Sequence, residues 1–269
     1  MDTLDLSAAL ATALKASQLG RQVLLDYFGR LKKVQDKAQA GLVSEADVES
    51  ERVIMAELKR AFPEVEVLGE EGAFASKQEK VSATSWVVDP LDGTTNYVHS
   101  FPIFCISIGL QWQGELKVGV IDVPMLGKTY TCVAGKGAFV NGERIHVSQR
   151  RTIRESLLAT GFFADNVSAL KEQLQIFSDL VYEARGIRRA GAAAYDLCMV
   201  AEGVFDAFWE KNLKPWDTAA GALLVREAGG VAWTYSGGEY DLSCDSMLAG
   251  NPEVAALISK RIQKVRAPT

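Results

Sequence analysis

The sequence predicts an α+β fold from three successive patterns: two helical segments, then short strands separated by tight turns, then strands alternating with helices. In the first segment Leu6, Leu10, Ala13, Ser17, Gly20, Leu24 and Tyr27 recur at steps of three and four, which places small and apolar side chains on one helical face. A second helix is expected over 45–62, with Ser44 as N-cap and Pro63 just beyond its end. Short strands follow at 65–68 and 85–88. From 104 to 147 the pattern changes: strands at 104–112 and 116–123 flank Gln113-Gly114-Glu115, and Asn141-Gly142 is a strong hairpin signal. Strands so close in sequence pair most simply antiparallel. Beyond Arg150 the chain alternates: strand 157–159, helix 168–184, a strand, helix 192–202 and strand 205–209. A helix starting near Trp216, two short strands and a last helix at 252–265 complete it. That alternation suggests a layered α/β second half, with a boundary near 148–152 separating residues 1–150 from 151–269.

The composition narrows the class. Apolar residues make up 48% and charged residues 23% of the 269, enough to bury a sizeable core. A net charge of −5 gives no basic footprint, so nucleic acid and anionic membrane are not expected as main partners. An acidic protein that handles phosphate needs local positive charge, and bound cations are the obvious source. Cys105, Cys132, Cys198 and Cys244 form no Cys-x-x-Cys pair and sit in apolar runs, so buried thiols in a reducing compartment are expected. Asp2 and Asp5 stand where a signal peptide would carry Lys or Arg. The uncharged stretch 94–113 is broken by Asn96, His99, Pro102 and Gly109, which reads as a loop and a buried strand rather than a membrane span. A cytoplasmic protein is expected.

Chemistry concentrates in Asp89-Pro90-Leu91-Asp92-Gly93-Thr94-Thr95. An apolar strand delivers Asp89, Pro90 is expected to stop it, and Asp92 follows across a turn. Gly93 frees the backbone where Thr94 and Thr95 open a helix. Two carboxylates facing exposed N–H groups can hold a hard cation and a phosphate; an Asp-rich turn with an N-cap is the plainer alternative. Glu70 and Glu71, between Gly69 and Gly72, read alone as solvated loop acids, and Asp217 after Trp216 reads alone as an N-cap. Ser44 and Asp47 fit a capping box as well as an acid beside a metal.

Rival motifs are missing. His99 and His146 are the only histidines, so a zinc site is not expected and both read as polar loop or strand-end residues. No Gly-x-Ser-x-Gly elbow is present. Gly127-Lys128-Thr129 resembles the end of a P-loop, but Asp122 occupies the place of its first glycine. What remains is an oxygen-only acid set, the ligand chemistry of Mg²⁺.

Taken together, Leu42-Val43-Ser44-Glu45-Ala46-Asp47, Gly69-Glu70-Glu71, the run from Trp86 to Thr95, and Phe101-Pro102 closely resemble the inositol monophosphatase family. These are lithium-sensitive, Mg²⁺-dependent sugar-phosphate phosphatases related to fructose-1,6-bisphosphatase. The second half matches through the run from Gly191 to Leu197, that from Asp206 to Glu210, Trp216-Asp217, and the run from Glu227 to Gly230. The resemblance covers essentially the whole chain. It implies a five-layer αβαβα sandwich of the carbohydrate phosphatase type, usually a homodimer, with two to three Mg²⁺ ions per site. The metal and phosphate site would lie in the first half and the substrate-contacting residues in the second.

By that resemblance Glu70, Asp89 and the Leu91 carbonyl would bind one Mg²⁺ and Asp89, Asp92 and Asp217 a second, with Glu70 helping to hold a third. Cations roughly 4 Å apart can stabilise both attacking and leaving oxygens of an in-line displacement. Glu70, Thr94 and Asp47 would be the catalytic residues, Asp47 pairing with Thr94 to orient or activate the attacking water. Gly93, Thr94 and Thr95 would bind the phosphate, and Ala193, Glu210 and Asp217 the substrate hydroxyls. The chain departs from the family pattern at Gly41, commonly Asp, at Ser44, commonly Thr, and at Ala192, often Thr or Ser; Lys37 lies one residue out of step with a family lysine. These departures bear on substrate preference and on the third ion. Inositol 1-phosphate is the leading substrate. Fructose 1,6-bisphosphate, histidinol phosphate and a 3′-phosphoadenosine nucleotide are the alternatives on the same fold, and a regulatory binding protein that keeps the fold is the alternative from another class.

Overall fold

Small side chains on the first helix let it lie close to its neighbours. Helix α1 (Leu6–Tyr27) is capped by Asp5, whose carboxylate accepts the N–H groups of Ser7 and Ala8, and it buries Ala9, Ala13, Ala16, Gly20 and Leu24. The structure, a computed structural model describing residues 4–36, 42–76, 80–162 and 167–266, places α1 beside α2 (Glu45–Ala61) as an outer layer. Strands β1 (Val34–Asp36) and β2 (Leu42–Ser44) form a short antiparallel ribbon leading into α2. Lys37 and Gly41 lie outside the described residues.

The second layer is a seven-stranded sheet in simple sequence order. It runs from β3 (Glu66–Gly69) through β4 (Ser85–Asp92), β5 (Cys105–Trp112), β6 (Glu115–Val123), β7 (Lys128–Val133) and β8 (Gly137–Val140) to β9 (Glu143–Ile145). β3 and β4 are parallel, and every later pair is antiparallel, as the tight turns require. Asn141 and Gly142 both have positive φ, 48° and 85°, the geometry of a two-residue turn whose twist suits a hairpin. β4 is buried at every residue because helices cover both faces of the sheet.

The fourth layer is a mixed five-stranded sheet ordered β11 (Gly186–Arg188), β10 (Leu157–Thr160), β12 (Ala207–Lys211), β14 (Ser246–Gly250) and β13 (Val231–Trp233). Between the two sheets lie α6 (Ala193–Ala201) and α7 (Pro215–Glu227), and α5 (Val167–Val181) with α8 (Pro252–Arg266) covers the far face. The expected αβαβα order is the observed one. The core between the sheets joins Ile121 and Tyr130 from one to Phe208 and Met247 from the other through Leu197, Cys198, Ala220 and Leu224. Both halves of the chain therefore share a core.

α7 approaches the first sheet unusually closely. A Cβ on Gly109 would stand 2.7 Å from the Ala219 Cβ and 3.1 Å from the Ala220 nitrogen, and one on Gly119 would stand 3.0 Å from the Ala220 oxygen. Only glycine at both positions lets helix backbone rest on strand backbone.

Three local expectations are corrected. β4 does not stop at Pro90 but continues to Asp92, because pairing with β5 lapses between Asp89 and Asp92 and the proline falls where no ladder N–H is needed. Glu70 and Glu71 open a short helix, α3 (Glu70–Ser76), instead of lying on a loop. Cys244 is partly exposed on a turn, its thiol directed at Asp241, whereas Cys105, Cys132 and Cys198 are buried. Both histidines are exposed. Among the described residues no helix is long and apolar enough to cross a membrane.

Candidate active site

The irregularity at the end of β4 creates the site. Where the strand leaves its ladder, the Asp89 carboxylate turns back to accept the Leu91 N–H at 3.0 Å. Gly93, with φ 92°, reverses the backbone and starts α4 (Thr94–Val98), whose first turn has no side-chain cap and so leaves amide hydrogens unpaired by side chains. The Thr94 hydroxyl lies 3.0 Å from Asp47 Oδ1 and 3.1 Å from the Leu91 carbonyl oxygen. It has one hydrogen and so donates to one of them at a time. Thr95, one residue on, is exposed.

Asp47 arrives from the first turn of α2. The capping-box and site readings of Ser44 and Asp47 hold together: Asp47 Oδ2 accepts the Ser44 N–H at 2.8 Å and the Ser44 hydroxyl, while Oδ1 faces Thr94. Asp47 is fully buried, and burial raises its pKa against the lowering effect of the Ser44 and Thr94 hydrogen bonds.

Asp92 caps a helix far away in sequence. Ala192, at the N-cap of α6, has no side chain able to accept, and Asp92 Oδ2 takes the Ala194 N–H at 2.7 Å instead. The Cys105 thiol also points at that oxygen, 3.6 Å away. Asp217 is the third residue of α7 rather than its N-cap, and its Oδ2 accepts the Lys214 N–H at 2.7 Å. Three aspartates are thus each oriented by a backbone N–H that does not neutralise them.

The four acids lie close enough to influence one another's ionisation. Burial first, then Glu70, Asp92 and Asp217, push the Asp89 carboxyl well above the usual range. Burial raises Asp92 to about 6, with Glu70 adding to it, and Asp217 is raised by burial and then by Asp92. Buried carboxylates that repel one another are stabilised by a cation between them. Among the described residues no three His, Cys, Asp or Glu side chains are already gathered into an ion cage. The donor chemistry nevertheless suits Mg²⁺: hard oxygens only, excess negative charge, and a neighbouring main-chain carbonyl at Leu91.

Beside these acids opens a cavity of about 140 Å³ lined by Asp92, Ala193, Glu210 and Asp217, together with the exposed Arg189 and the buried Asp196. Glu210 comes from β12, and burial pushes its carboxyl up to about 8 against the lowering influence of Arg189.

Sequence reasoning named neither Asp196 nor Arg189, nor Glu51, whose carboxylate accepts the N–H groups of Glu71 and Gly72 at 2.8 and 3.0 Å and so braces α3. The signals were present: Asp196 is the sole charge in an otherwise apolar helix, and Glu51 lies one turn beyond Asp47 on the buried face of α2.

A profile of the inositol monophosphatase family matches residues 5–267. The chain is 39% identical over 264 residues to a Pseudomonas aeruginosa protein described as Nus factor SuhB, covering 97% of each. It is 41% identical over 250 residues to an Aquifex aeolicus fructose-1,6-bisphosphatase/inositol-1-monophosphatase, covering 92% of each. Among solved structures, the extragenic suppressor protein suhB of Bartonella henselae superimposes with a TM-score of 0.89 at 36% identity, over 96% of this chain and 99% of that one.

Proposed function

The chain belongs to the inositol monophosphatase family, and we propose from that membership that it is a Mg²⁺-dependent phosphomonoesterase acting on a small polyol or sugar phosphate, inositol 1-phosphate foremost. The observation that carries the reading is the burial of Asp47, Asp89 and Asp92 around the end of β4, with Asp47 paired to the Thr94 hydroxyl and Asp92 and Asp217 lining a polar cavity.

In this reading Glu70, Asp89 and the Leu91 carbonyl would hold one ion, Asp89, Asp92 and Asp217 a second, and Glu70 would contribute to a third. Bound Mg²⁺ would supply charge neutralisation and a lowered pKa for water at the site. The amides of Gly93, Thr94 and Thr95 orient the phosphoryl oxygens, since the first turn of α4 leaves them without side-chain acceptors. The Thr94 hydroxyl, donating to Asp47 Oδ1, turns its lone pair to the attacking water and fixes its line of approach. Asp47, its pKa raised by burial, accepts the proton more readily than an ordinary aspartate. Ala193, Glu210 and Asp217 line the space for the departing alcohol. The working unit is a homodimer in the cytoplasm.

The test is phosphate release from inositol 1-phosphate, fructose 1,6-bisphosphate, histidinol phosphate and 3′-phosphoadenosine 5′-phosphate, with and without millimolar Mg²⁺. Cleavage of none of them defeats the proposal, and Li⁺ inhibition is expected where cleavage occurs. A second reading, favoured by the Pseudomonas aeruginosa relative described as a Nus factor, is a regulatory binding role beside catalysis. Co-sedimentation with transcription complexes tests it, and the retained acids argue against a role that replaces catalysis.

A further inference from the structure

Two buried aspartates of the second half differ in one respect. Asp206, fully buried, is satisfied on all sides: it accepts from the Ser148 hydroxyl, the Arg150 guanidinium and the Leu157 N–H. Asp196 is 1% exposed, yet its Oδ1 is buried with no hydrogen-bond partner among the described residues. A buried carboxylate oxygen without a partner is costly and is retained where something else satisfies it. Asp196 lines the cavity that also takes Glu210 and Arg189. Glu210 reaches it because Gly161 leaves the room: a Cβ there would stand 1.9 Å from Glu210 Oε2.

We propose that Asp196 is a specificity-determining residue of this cavity, accepting a hydrogen bond from one hydroxyl of the departing polyol while Glu210 accepts from another. The inference rests on the phosphomonoesterase reading and narrows it to substrates whose leaving group carries at least two hydroxyls. Burial and the nearness of Glu210 raise the Asp196 carboxyl well above its usual range, and Arg189, exposed at the rim, opposes that shift. A hydroxyl donor would favour the charged form in the same way. An apolar or hydroxyl-free leaving group would leave both carboxylates without partners, which is how a polar pocket rejects an analogue lacking the matching group.

The experiment compares kcat/KM for inositol 1-phosphate with that for phenyl phosphate, whose leaving group has no second hydroxyl, in the unaltered protein, Asp196→Ala and Asp196→Leu, neither of which can accept a hydrogen bond. The ratio of the two should fall about tenfold or more in both variants, chiefly through KM for inositol 1-phosphate. Partial unfolding lowers both rates together and leaves the ratio fixed, so a ratio within about twofold of the parent value overturns the assignment. If neither variant is soluble, monodeoxy inositol 1-phosphates on the unaltered protein decide: two hydroxyl deletions should each carry the penalty, and only one doing so overturns the role of Asp196. Failure of the unaltered protein to release phosphate from either substrate overturns the phosphomonoesterase reading itself.

Discussion

The carboxylate of Asp92 accepts the amide hydrogen of Ala194 at 2.7 Å, tying the end of β4 to the first turn of α6. One acid therefore serves as a helix cap and as a proposed metal ligand. Asp92→Asn keeps an oxygen for the Ala194 N–H but removes the charge. Activity should fall at least about 100-fold, in line with losses at metal sites. The metal-free melting temperature should equal or exceed that of the parent, because burial already disfavours the Asp92 charge. Steady-state kinetics and thermal denaturation in EDTA check both, and near-normal turnover would remove Asp92 from the site.

Thr94→Ala deletes the hydroxyl that joins Asp47 to the Leu91 carbonyl. A loss of about 10²–10⁴-fold in kcat is expected if Thr94 and Asp47 handle the proton. Thr94→Ser should recover much of it. Equal loss in both variants would point to the methyl group and packing instead.

The raised carboxyl of Asp92 gives stability a direction with pH. Its folded pKa of about 6 lies above that of an ordinary aspartate, near 4. The stabilisation is therefore fully present below pH ~4 and is lost as pH rises through about 6. In EDTA the melting temperature should drop across that window. Mg²⁺ at about 100 times its Kd should restore about 5–10 °C at pH 7.5 and less at pH 5, where protons compete. A Mg²⁺ effect that is the same at both pH values would refute carboxylate titration as the cause.

Glu51→Ala removes the acceptor for the Glu71 and Gly72 N–H groups and so loosens α3, which carries Glu70. The Mg²⁺ concentration for half-maximal rate should rise about 10–100-fold, as it does when residues supporting metal ligands are removed. Glu51→Gln should suffer less. A loss of kcat with unaltered Mg²⁺ dependence would separate Glu51 from the metal.

The legible parts of the sequence were those set by local physics. Steps of three and four, the Asn141-Gly142 turn and the Ser44 cap mark helices and hairpins within a few residues of where they lie. The extension of β4 past Pro90 was hidden because it depends on β5 lapsing in register at the same place, a fact of pairing and not of either strand alone. Asp217 was readable as a helix-start acid, but its closeness to Asp92 follows from α7 lying on Gly109 and Gly119. Asp196, between Tyr195 and Leu197, is marked in the sequence as the one charge of an apolar helix, but whether its buried oxygens find partners depends on the strands and loops packed around it.

Glu70, Asp89 and Asp92 precede the shared interlayer helices in the chain, whereas Asp196 and Asp217 lie within them and Glu210 lies between them. During synthesis the leading sheet can pair its strands while one apolar face still waits for α6 and α7. Its three acids then have no counterpart from the trailing half. On the proposed assignment, the acids of the two halves come together only when the interlayer helices dock on the first sheet.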